Sequence, residues 1–146
     1  MKKIYLICAL CLSVMISNVQ AQSNNVFVTE TSESITPFID KLQDGEQFTI
    51  HYKSTGCFHN AKETMTFLRE NNSYYVIYKK ERKALTDDSI QNIRDFEKQL
   101  AQQHSYGCTT VDNYLVIYND VQRIATDGSC SWNGYGKLKK LFGFTA

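Results

Sequence analysis

Cys57-Phe58-His59 is the sharpest local chemistry in the sequence, a thiol two residues from an imidazole, with Gly56 before it to let a substrate backbone approach. A charged histidine beside an exposed cysteine favours the thiolate, and the thiolate is the nucleophile. Residues two apart share a face only on a regular strand, so in a loop this pair has no set geometry. A buried, inert cysteine or an intermolecular disulfide is the plainer account of Cys57. His104 and Cys108 complete a nominal Cys2His2 set with Cys57 and His59. That spacing is not the usual one for structural zinc, and a disulfide at Cys108 removes the site. No metal or other cofactor is therefore expected. The adjacent carboxylates Asp87-Asp88 fall at a predicted helix start, where capping accounts for them. The sequence contains no Gly-rich phosphate loop, nucleophile elbow or His-Glu-x-x-His helix.

The cysteines also report the compartment. Lys2 and Lys3 precede an almost wholly apolar run over residues 4–16, and Ser17-Asn18-Val19-Gln20-Ala21 supplies small residues before a cut. This is the pattern of a cleaved secretory signal peptide, residues 1–21; the apolar run is too short for a membrane span. Cys8 follows Ile7 and Cys11 follows Leu10, so neither has the small neighbour a lipoprotein anchor requires. The expected location is periplasmic or secreted, where disulfides persist. Cleavage leaves Cys57, Cys108 and Cys130, and one thiol must stay over. A hairpin centred on Asn119 sets Cys108 opposite Cys130, and a turn centred between Asn119 and Asp120 shifts this by one residue, which frayed strand ends absorb; that pair is predicted. Strand direction points the same way, placing Cys57 about 20 Å away at the other end of the sheet for a rise of ~3.3 Å per residue.

Charge narrows the partner. Removing Lys2 and Lys3 from 16 basic residues leaves 14 against 15 acidic ones, a formal charge of −1. Nucleic-acid binding calls for a concentrated basic field, and none is present. The basic groups around Lys79-Lys80-Glu81-Arg82-Lys83 and at Lys137, Lys139 and Lys140 read as a solvated strand end and a solvated helix face.

Residues 22–146 have the length of one domain, with no repeat, no low-complexity tract and Pro37 as the sole proline. Ile35, Phe38, Ile39 and Leu42 recur at helical spacing behind Thr36-Pro37, with Gly45 as the stop. Phe48, Ile50 and Tyr52 alternate with Thr49, His51 and Lys53, the period of a half-buried strand, which leaves His51 facing outward. Residues 62–69 and 73–80 are rich in strand formers and meet at Glu70-Asn71-Asn72, a hairpin. Thr86 to Ser89 open a helix whose buried stripe is Ile90, Ile93, Phe96 and Leu100. Residues 109–118 and 121–126 form a second hairpin, and Tyr135, Leu138, Leu141 and Phe142 mark a last helix beginning near Tyr135. The expected fold is α+β, in the order α-β-β-β-α-β-β-α. Its five-stranded sheet is mainly antiparallel, with the third and fourth strands parallel through a right-handed helical crossover.

Alternation then produces a second lead. Tyr74, Val76 and Tyr78 share one strand face and Tyr114, Val116 and Tyr118 share another on an expected neighbour, while Tyr75, Ile77, Leu115 and Ile117 point the other way. With the aliphatic face against the helices, Tyr74, Tyr78, Tyr114 and Tyr118 make an open aromatic binding surface. With the helices on the tyrosine face, the same residues are core. Export, an aromatic face and no complete catalytic set predict a small, non-enzymatic binding protein for another macromolecule, an inhibitor or protective partner. A thiol enzyme or redox protein centred on Cys57 and His59 is the alternative, and a structural envelope component the third.

Overall fold

The computed structural model describes residues 35–144, so the signal-peptide reading of residues 1–21 lies outside the described residues. Helix α1 (Phe38–Lys41) is a single turn. Strands β1 (Gln47–Gly56), β2 (His59–Glu70), β3 (Ser73–Tyr78) and β4 (Glu81–Ala84) follow, then helix α2 (Asp87–Leu100), strands β5 (Val111–Tyr118) and β6 (Val121–Asp127), and helix α3 (Gly134–Leu141). The six strands lie in the order β4-β3-β2-β1-β5-β6, and each neighbouring pair is antiparallel.

Local chemistry makes these elements where the alternation placed them. Asn71 and Asn72 both take positive φ, the conformation of a type I′ turn, and the strands close as Glu70 opposite Ser73. Thr86 caps α2 by accepting the backbone N–H of Ser89 at 3.2 Å. Asn119, at φ 51°, turns β5 into β6.

Two expectations about the sheet are corrected. The third strand, expected over residues 73–80, ends at Tyr78. Lys79 adopts φ 54° and turns the chain back, so that Tyr78 pairs with Glu81 and β4 becomes a sixth strand. That one added reversal flips the direction of everything after it. The fourth expected strand, β5, consequently pairs not in parallel with β3 but antiparallel with β1, in a register that sets Thr55 opposite Val111. The sheet is wholly antiparallel, and the crossover through α2 spans β3, β2 and β1.

The three helices pack on one face. Phe48, Ile50, Met65, Phe67, Val76 and Val116 point from the strands into a core closed by Phe38, Ile93, Phe96 and Leu138 from the helices. Rings dominate the contact: Phe96 stacks on Trp132 at 5.2 Å, and Tyr135 stacks on Tyr52 at 4.3 Å. Trp132 Nε1 donates to Gln99 Oε1 at 2.8 Å, tying the lead-in of α3 to α2.

Candidate functional site: the open face of the sheet

With the helices on one face, the other face of the strands is formed by the alternate residues. Thr49, His51 and Lys53 of β1 stand between Thr66, Thr64 and Lys62 of β2 on one side and Ile117, Leu115 and Asn113 of β5 on the other. Next outward come Ile77, opposite Thr66 on β3, and Ile124, opposite Leu115 on β6. A concavity of about 660 Å³ runs across this face, from Lys79 and Ile77 past His51 to Ile124. Short side-chain contacts tie neighbouring strands together on this face. Thr49 Oγ1 lies 3.2 Å from Thr66 Oγ1, His51 Nδ1 lies 3.2 Å from Thr64 Oγ1, and Thr126 Oγ1 donates to Asn113 Oδ1 at 3.3 Å. The aliphatic Ile124 is 60% exposed at its edge.

The tyrosines predicted to form an open aromatic surface are on the opposite, helix-covered face. Tyr78 and Tyr114 are 3% and 1% exposed, and Tyr74 and Tyr118 are half-buried beside the same core. The hydroxyls of Tyr78 and Tyr118 are spent inside the protein. Tyr78 Oη donates to Glu63 Oε2 at 2.8 Å, and Tyr118 Oη lies 2.6 Å from Glu46 Oε2 and 3.0 Å from Lys41 O. Tyr114 packs against Tyr52, Phe96 and Trp132. Nor are β3 and β5 neighbours, since β2 and β1 lie between them. The physical reason is ring packing: α2 and α3 bring Phe96, Trp132 and Tyr135 to the sheet, and aromatic rings supply more buried contact than the Thr-interrupted aliphatic face.

Cys108 and Cys130 are joined by a disulfide, Cα–Cα 5.5 Å, which staples the open ends of the β5–β6 hairpin. Cys57 is a free and exposed thiol in the two-residue turn between Gly56 and His59. It does not lie at the far end of the sheet. Thr55 pairs with Val111, and Thr110 sits against the Cα of Gly56, so the β1–β2 turn and the disulfide share one end. The added strand β4 is again the cause, because it reverses β5 and β6 relative to β1. His59 is exposed, and among the described residues no hydrogen bond joins it to Cys57. Cys108 is consumed by the disulfide, and among the described residues no group of three His, Cys, Asp or Glu side chains is placed to hold a metal.

No family model, curated protein or solved structure matches this chain. The disulfide suits an oxidising compartment, and among the described residues no helix is long and apolar enough to cross a membrane.

Lys53 and Lys62 escaped the sequence reading, and the signal for them was present. A two-residue turn at Cys57-Phe58 dictates a register in which Lys53 faces Lys62, as observed. What hid it was the length of the strands. The apolar alternation ends at Tyr52, whereas β1 runs on to Gly56 through mainly polar, exposed positions.

Proposed function

We propose that this is an exported binding protein that holds another protein against the open face of its sheet, as an inhibitor or protective partner. The observation that carries the reading is the segregation of the fold, with α1, α2 and α3 on one side and a concave, mixed polar and aliphatic face on the other. Such a surface offers contact area from Leu115 and Ile124 together with the hydrogen-bonding groups of His51 and Thr64. The location of the protein outside the cytosol is part of the proposal, and the Cys108–Cys130 bond supports it.

The test is site-specific photo-crosslinking in the producing cell. A photoreactive residue is placed at Thr64 or Ile124 on the open face, and at the exposed Lys98 on α2 as a control. A discrete crosslinked species from the first two positions and none from Lys98 is the expected result. Crosslinks from all three alike, or from none, reject the reading.

A second reading, thiol chemistry at Cys57, rests on the exposure of that residue in the β1–β2 turn. It requires a base that the neighbouring His59 does not supply by hydrogen bond. Thiol-dependent turnover that survives Lys53→Glu and Ile124→Arg and vanishes with Cys57→Ser favours it over docking.

A further inference from the structure

We infer that the partner docks through an acidic segment, carboxylates set among aliphatic residues, seated on Lys53 and Lys62. This rests on the docking reading above and adds the chemistry of the partner.

Lys53 and Lys62 are register partners across β1 and β2, and both are exposed on the open face. Directly opposed residues in an antiparallel pair have Cβ atoms about 4.5–5.5 Å apart, and like charges there are destabilising. Among the described residues neither lysine forms an ion pair, while Arg82, Lys83, Arg94, Arg123 and Lys139 all do. Lys79 borders the same concavity, but its Nζ lies 5.3 Å from the centre of the Tyr78 ring on the helix side, which leaves Lys53 and Lys62, with His51 nearby on β1, as the open-face cations. The carboxylates of the adjoining strand segments are turned away. Glu63 is bonded to Tyr78 and Lys139 on the helix side, and Asp112 and Asp127 face each other on that same side. Glu70 is held by Arg82.

The concavity is thus a cationic surface edged with Ile77, Leu115 and Ile124, the complement of a segment that alternates acidic and aliphatic side chains. A second copy of this chain would bring the same cations to the same place and be repelled. A nucleic acid is disfavoured because base stacking needs exposed rings, and Tyr52, Tyr78 and Tyr114, which flank this region, turn toward the helices.

The experiment uses residues 22–146 with the disulfide intact and follows backbone amide shifts. The probe is a synthetic peptide of about ten residues alternating Glu and Val, with a Lys–Val peptide and a heparin fragment as comparators. The expected result is saturable shifts at His51, Thr64 and Leu115 with the Glu–Val peptide alone. Affinity should fall roughly ten-fold in the Lys53→Glu/Lys62→Glu variant, and fall again as salt is raised from about 50 to about 300 mM. No response, an equal response to the Lys–Val peptide, or undiminished affinity in the variant overturns the inference. A response to heparin without one to the Glu–Val peptide also overturns it, in favour of a polyanionic glycan. The two proposals fail separately. Crosslinks at Thr64 and Ile124 that persist in the double variant keep the docking face and reject the acidic segment, and loss of those crosslinks in wild type rejects both.

Discussion

The carboxylate of Glu97, buried on α2, receives the backbone N–H of Phe38 at 2.6 Å and that of Ile39 at 3.1 Å, and so caps α1 from 59 residues away. Helix α1 has no side-chain cap of its own. The Arg123 guanidinium completes the arrangement, 3.5 Å from Glu97 Oε2 and 3.8 Å from the centre of the Phe38 ring, with Nη2 donating to Thr36 O at 3.1 Å. Removing the carboxylate strands two buried backbone donors, the N–H groups of Phe38 and Ile39. Glu97→Ala is expected to cost about 3 kcal/mol or more in urea unfolding. A cost below about 1 kcal/mol would show that water replaces the carboxylate.

Burial pushes the Glu97 carboxyl up from 4.5 to about 7, against the lowering pull of the Phe38 and Ile39 N–H groups and of Arg123. The folded protein therefore binds a proton that the unfolded chain has lost between those two values. Stability from this group is full below about pH 4.5, falls as pH rises to about 7, and is level above it; the total change is at most about 3 kcal/mol. Glu97→Gln should flatten this dependence, so that the gap between wild type and variant narrows from pH 5 to pH 8. A gap constant across that range, in denaturant titrations, contradicts the assignment.

The Cys108–Cys130 bond closes a loop with a sequence separation of 22. Chain entropy predicts a stabilisation of roughly 3 kcal/mol. Replacing both cysteines by serine should lower the denaturant midpoint accordingly, while Cys57→Ser leaves it in place. Alkylation of the native protein should modify Cys57 promptly and no other cysteine among residues 22–146.

Because Lys53 and Lys62 oppose each other, Lys53→Glu turns a repulsive pair into an attractive one. The variant is expected to be more stable than wild type by up to about 1 kcal/mol in thermal or urea unfolding. A destabilised variant would show that the two ammonium groups are already kept apart.

Tyr78 shows the cost of treating the tyrosines as surface. Tyr78→Phe removes the hydrogen bond to Glu63, which also holds Lys139 of α3 at 2.9 Å. A loss of about 1.5–3 kcal/mol is expected, the range for a bond to a charged group. An unchanged melting temperature together with lost partner binding would return Tyr78 to the docking surface.

Much of the local structure was legible in the residues. Period-two alternation marks β1, β2, β3, β5 and β6, Thr86 marks the start of α2, and the Asn-bearing turns mark the hairpins; the β5–β6 register is one residue off the Asn119-centred one, and the Cys108–Cys130 bond forms beyond the strand ends all the same. These signals act over a few residues, through backbone conformation and side-chain period, so the chain declares them wherever it folds. Two decisions were left to the tertiary structure. Alternation shows which residues share a face but not which face the helices cover, and here both faces carry apolar side chains. The choice was made by how the rings of Phe96, Trp132 and Tyr135 pack against Tyr114 and Tyr52. Strand direction is a running parity. The four residues Glu81–Ala84, three of them charged and stabilised as a strand by pairing with β3, reverse every later element, bringing Cys57 to the disulfide end and β5 beside β1.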